Sequence, residues 1–132
     1  MIIYIIMYEG DIMANKNYLM SGITELLILS ILKEHDSYVY EIGKLIKAES
    51  KELLSISQNT IYTVTYKLEN EHKISEYSKL VGRKRTRVYY HIEQEGIDYL
   101  DSLLETFHST ITGTQNVLAA LKKNQGDEIT DD

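Results

Sequence analysis

At 132 residues, 43% of them hydrophobic and 26% charged, the chain has material for one buried core and the composition of an ordinary globular protein. It has no cysteine, which excludes a disulfide framework and any thiolate metal site and fits a reducing cytoplasm. It has no proline either, so turns must rely on Gly, Asn, Asp and Ser. The net charge of −6 argues against a polyanionic partner only until it is mapped. Residues 72–91 hold six cations against one acid, a net of +5, while residues 93–132 hold two lysines against nine acids, a net of −7. Screening limits the reach of a charge to about 8–10 Å, so a phosphate backbone would respond to the basic segment alone.

Residues 1–18 open with the apolar run MIIYIIMY, which is far shorter than the roughly 18 residues needed to cross a bilayer. The run also lacks the basic start and small-residue cleavage site of a secretory signal. Met13 begins MANKNYLMSG, which reads as a protein start, so residues 1–12 are expected to be an upstream extension. The alternative is an added strand or helix packed on a dimer.

Residues 19–33 predict a helix that is apolar almost all round, with Leu19, Ile23, Leu26, Leu27, Ile28, Leu29, Ile31 and Leu32. That pattern belongs to a central helix wrapped by other elements. Asp36 or Ser37 is placed to cap a second helix running to about residue 50, with Tyr38, Ile42, Leu45 and Ile46 inward and Lys44 and Lys47 toward solvent. A short link, KELLSI, leads to Ser57 as the N-cap of a third helix over residues 57–73. Helix, short turn, helix is the helix-turn-helix plan.

On that third helix Ile61, Val64 and Leu68 share one side. Asn59, Tyr62, Thr63, Tyr66 and Asn70 share the other, with Lys67 at its edge. Amides, hydroxyls and phenols hydrogen-bond to base edges and phosphates in a major groove, whereas a helix face kept for solubility more usually shows Glu and Lys. The face reads as a DNA-recognition surface.

Residues 74–79 and 87–92 predict two strands; in the second, Val88, Tyr90 and Ile92 alternate with Arg87, Tyr89 and His91. LVGRKRT lies between them, with Gly82 at the turn and cations crowding the tip. A solvated basic hairpin would read the same in isolation. Placed directly after such a helix, it reads as the wing of a winged helix, its tip reaching backbone or minor groove.

Residues 94–123 predict a long helix whose Ile97, Leu100, Leu104, Phe107, Ile111, Thr114, Leu118 and Leu121 recur in steps of three and four. This is a heptad seam with one polar member, Thr114, and it points to dimerisation. Tyr99, Leu103 and Val117 widen the stripe, and Gly113 marks a bend or a close helix approach. The organisation expected is an N-terminal extension (1–18), a winged-helix DNA-binding domain (19–92), a dimerisation helix (93–123) and an acidic disordered tail (124–132). The fold class is mainly α with a small β-hairpin.

Four pieces in this order resemble the PadR-type winged-helix transcriptional regulators, in particular short members with a single C-terminal helix. GITELLILSILKE is similar to the family's opening helix. Ser37-Tyr38-Val39-Tyr40-Glu41 matches the usual Gly-Tyr-Gly-Tyr-Glu at three of five positions. Asn59-Thr60-Ile61-Tyr62 with Leu68-Glu69 is similar to Gly-Thr-Leu-Tyr followed by Leu-Glu. Tyr89-Tyr90-His91-Ile92-Glu93-Gln94-Glu95-Gly96 is similar to the closing strand and its Ile-Thr-x-x-Gly. His72 replaces a usual Gly after the recognition helix, the wing proline is missing, and Glu93 replaces a capping Thr.

The resemblance implies a cytoplasmic homodimer that binds palindromic double-stranded DNA, most often as a repressor released by a small-molecule effector. Some drug-binding short members of the family line a dimer pore with tryptophans; this chain has none, and Phe107 and Tyr99 could provide an aromatic surface there, though core packing is the plainer and favoured use for both. The expected DNA contacts are Gln58, Asn59, Thr60, Tyr62, Thr63, Tyr66, Lys67, Lys79, Arg83, Lys84, Arg85 and Arg87. Of these, Gln58, Asn59, Thr63 and Tyr66 are placed for base edges, and Tyr62 could instead buttress the helix. The competing reading is a winged-helix protein adaptor that no longer binds DNA. An enzyme is not expected. His35, His72, His91 and His108 lack metal-ligand spacing, and no phosphate loop, nucleophile elbow or cofactor motif occurs.

Overall fold

In the computed structural model, residues 19–20 and 22–131 are described, with side chains as far as residue 125. The expected extension over residues 1–18 lies outside them. Among the described residues four helices and one hairpin follow in the order α1 (Ile23–Glu34), α2 (Val39–Glu49), α3 (Gln58–Asn70), β1 (Ile74–Val81), β2 (Arg85–Ile92) and α4 (Gln94–Asp131). The fold is mainly helical with an antiparallel two-stranded sheet.

The first helix does not run unbroken from residue 19. Gly22 takes a φ of 91°, open to glycine at no steric cost, and serves as the N-cap from which α1 starts. Leu26, Ile28, Leu29 and Leu32 of α1 are buried against Val39, Ile42 and Ile46 of α2 and Ile61 and Leu68 of α3. Ile74, Tyr90 and Ile92 close the core from the hairpin, and Leu100 closes it from the start of α4. Burying such side chains is worth about 1.5–3 kcal/mol each, which is what holds these short helices together.

Neither Asp36 nor Ser37 caps α2. Tyr38 is the N-cap residue and makes no side-chain cap bond. Ser37 is fully buried and pairs its backbone with Tyr90, its N–H donating at 3.3 Å and its carbonyl accepting at 2.8 Å, so this corner adds a short third rung to the sheet. Its hydroxyl donates to Glu41 at 2.9 Å. Asp36 turns to the hairpin instead, where a phenol and an imidazole are available.

The strands pair from Ile74↔Ile92 to Val81↔Arg85, longer than the alternation alone indicates, which reduces the turn to Gly82, Arg83 and Lys84. The alternation itself holds at the base, where Tyr90 and Ile92 are buried, but Val88 is 42% exposed because the hairpin has passed the edge of the core by then. Gly96 is required by close approach: a Cβ there would collide with the Lys73 carbonyl and lie 2.8 Å from Ile92 Cγ1.

The chain divides into two compact units at residues 100 and 101. In the second unit α4 continues to Asp131, beyond the helix end expected at residue 123, so the backbone of the predicted disordered tail is helical through that residue. The polar tail contains no proline to stop it, and its single glycine costs only about 1 kcal/mol relative to alanine. Ile111, Val117, Leu118 and Leu121 are exposed along this unit, and Thr114 donates its hydroxyl to the Thr110 carbonyl at 2.7 Å.

Candidate nucleic-acid interface

Helix α3 starts where Ser57 accepts a hydrogen bond from the Thr60 N–H at 3.2 Å, satisfying one of the free donors of the first turn. Ile61, Thr65 and Leu68 face inward and are buried. The periodicity placed Val64 inward and did not single out Thr65, whereas Val64 is half-buried and Thr65 fully buried. A threonine among polar neighbours looks like surface, but its hydroxyl donates to the Tyr62 carbonyl at 3.0 Å, which lets it enter the core.

The opposite side stays open. Gln58, Asn59, Thr60, Thr63 and Asn70 are exposed, with Tyr62 54% and Tyr66 69% accessible. Thr63 donates to the Asn59 carbonyl at 2.9 Å, and Ser57 and Thr60 share a hydroxyl contact at 2.9 Å. Thr63, a donor in its bond, therefore keeps its oxygen free as an acceptor. Lys67 occupies the flank toward α1, 3.5 Å from Glu25, whose charge is the chief cause of its raised pKa. Glu25 also accepts from Tyr99 at 3.3 Å, and Lys73 lies 3.6 Å from the centre of the Tyr99 ring. Among the described residues no buried side-chain donor or acceptor is left unpartnered.

The hairpin carries its cations in two groups. Arg83 and Lys84 occupy the turn and are exposed. Lys79↔Arg87 and Val81↔Arg85 are cross-strand partners, so Lys79, Arg85 and Arg87 share one face with Tyr77↔Tyr89. The other face holds Tyr90 and Ile92 at its base, with Leu80 and Val88 exposed beyond them.

On the cationic face the Arg87 guanidinium lies 4.0 Å from the Tyr38 ring centre and Lys79 lies 5.7 Å from that of Tyr89. Tyr38 meets Tyr89 edge-on at 5.4 Å, and Tyr77 stacks on Tyr89 at 5.7 Å. Asp36 accepts from the Tyr77 hydroxyl at 2.7 Å and from His91 Nδ1 at 2.7 Å. The expected base-reading residues thus fall on one accessible helix face, and Arg83 and Lys84 project freely. Lys67 and Arg87 are already engaged with groups of the chain itself. The tyrosine cluster was not legible in the sequence, because its members are spread over residues 36–91 with no local spacing to link them.

Residues 28–102 match the model of the Transcriptional regulator PadR-like family. The chain belongs to that family. A transcriptional regulator from Clostridium thermocellum is 34% identical and superposes with a TM-score of 0.70, covering 74% of this chain and 95% of its own. A PadR family transcriptional regulator from Eggerthella lenta is 25% identical with a TM-score of 0.72, covering 86% and 96%. The Bacillus subtilis PadR in complex with operator DNA is 25% identical with a TM-score of 0.57, covering 61% of this chain and 45% of that one. The fold is therefore that of the PadR winged helix, and the chain is a PadR-like transcriptional regulator. Among the described residues no helix is long and apolar enough to cross a membrane.

Proposed function

We propose that this PadR-like regulator is a cytoplasmic homodimer that represses transcription by binding a palindromic operator, and that a small-molecule effector releases it. The observation that carries this reading is the pairing of an exposed amide, hydroxyl and phenol face on α3 with a free cationic turn on the adjacent hairpin. Asn59, Thr63 and Tyr66, with Gln58 at the first turn, read base edges, while Tyr62, Thr60 and Lys79 approach phosphates beside them. Arg83, Lys84 and Arg85 supply backbone and minor-groove contacts from the wing. The solved complex of the Bacillus subtilis PadR with operator DNA supports DNA as the partner. The exposed Ile111, Leu118 and Leu121 support pairing through α4. Leu100 is only 1% exposed and belongs to the core of its own unit, so the interface rests on Leu104, Phe107, Ile111, Thr114, Leu118 and Leu121, with Ile97 at its margin. Two such units would place their α3 helices in successive major grooves about 34–36 Å apart. The family resemblance supports the repressor role and the effector.

The test is loss of selectivity. Asn59→Ala with Thr63→Ala should bring binding to a selected genomic duplex down to the level of a scrambled one, leaving the scrambled affinity unchanged, in a fluorescence-anisotropy titration. Equal preference in variant and parent would remove α3 as the reading element.

A further inference from the structure

The cationic face of the hairpin divides its charges by what they touch. Arg83 and Lys84 meet solvent. Arg87 is half-buried, its guanidinium 4.0 Å from the centre of the Tyr38 ring at the start of α2, and Tyr38 in turn packs on Tyr89 from the same strand as Arg87. Lys79 and Arg87 are direct cross-strand partners, an arrangement of like charges that destabilises a hairpin unless each finds another partner. Here each has one: Arg87 lies over Tyr38 and Lys79 over Tyr89. Asp36 holds the next rungs down through Tyr77 and His91. The outer face of the hairpin is thereby fastened to the corner between α1 and α2, while its inner face is fastened at the base by Tyr90. Beyond Arg87 the strands run free to the turn.

We propose that Arg87 is a positioning residue for the wing rather than a phosphate contact. Together with Tyr38 and Tyr89 it forms an aromatic clasp that sets the angle of the hairpin and so the reach of Arg83 and Lys84 from α3. This rests on the DNA-binding reading above and replaces the expectation that Arg87 meets phosphate directly. A guanidinium stacked on a ring is not interchangeable with an ammonium, whose charge is compact and more strongly hydrated, and that difference separates the two roles.

The experiment compares Arg87→Lys, Arg87→Met, Tyr38→Phe and Tyr38→Leu with Arg83→Ala on a 40-base-pair duplex of mixed sequence, measuring affinity and its salt dependence. Circular dichroism melts confirm that each variant is folded. With a clasp, Arg87→Lys and Arg87→Met both bind about five- to tenfold more weakly, with the same salt slope as each other, because the loss comes from the ring contact and not from the charge. Tyr38→Leu behaves like them, and Tyr38→Phe, which keeps the ring, binds as the parent does. Arg83→Ala, which removes a contact, lowers the slope by about one. Parent-like binding by Arg87→Lys, or a slope reduced by Arg87→Met but not by Arg87→Lys, overturns the clasp. If Arg83→Ala leaves both affinity and slope untouched, the wing makes no contact with DNA and the positioning role falls with it.

Discussion

Asp36 stands at the corner between α1 and α2 and receives two hydrogen bonds of 2.7 Å, from Tyr77 and from His91. Burial alone would raise its pKa, but the bonds from Tyr77 and His91 outweigh burial and hold the carboxyl below its ordinary 3.8. The same bond raises His91 above its ordinary 6.5. His91 therefore adds stability that is fully present below pH 6.5 and is lost as pH rises through its higher folded-state value. Asp36 adds stability that is present above 3.8 and is lost as pH falls through its lowered value. The two side chains are partly open to solvent, at 51% and 33% exposure, so screening keeps the effect small. Thermal melts of the parent from pH 5.5 to 8.5 should show a modest decline across neutrality that His91→Gln abolishes. An identical decline in the variant would mean that another group is responsible. His72 is the other residue of note: it stands at a φ of 61°, in the left-handed region, and histidine is among the residues that tolerate this region best.

At the scale of elements, the hairpin and α4 meet at one close approach. Glu93 donates its N–H to the Lys73 carbonyl at 2.9 Å, and Gly96 passes over that same oxygen. Gly96→Ala should cost about 1–3 kcal/mol through the displaced backbone, read as a melting temperature several degrees lower with the circular dichroism spectrum unchanged. A melting temperature equal to the parent's would show that the approach is looser than described. This glycine was visible in the sequence as part of a resemblance, but its reason was not. The need for it comes from a carbonyl contributed by a residue on the far side of the hairpin. The same limit explains the other differences. The cap at Ser57 and the inward set Ile61 and Leu68 depend on neighbours within one turn, so local spacing revealed them. The contacts of Asp36, Tyr38 and Arg87 depend on partners brought together only by the fold, so local chemistry suggested a cap at residue 36 or 37 and could not reveal them.

At the scale of the molecule, charge and apolarity are separated along the chain: a basic hairpin beside α3, then an acidic helix whose second unit exposes Ile111, Leu118 and Leu121. An exposed apolar stripe of that kind fits the pairing through α4 proposed above. Leu104→Lys with Leu118→Lys should convert the protein to monomers in sedimentation and weaken operator binding by at least tenfold, since each half-site then binds alone. A dimer that persists would place the interface elsewhere. The most direct measurement is retention of genomic fragments by the purified protein at low ionic strength, followed by salt titration of the enriched sequence. A dimer with two reading helices and two cationic wings should enrich a few palindromic fragments about a thousandfold or more over random duplex, with affinity falling steeply as salt rises. Fragments recovered without enrichment, held no better than an acidic protein of charge −6 would hold any duplex, would contradict DNA recognition by this chain.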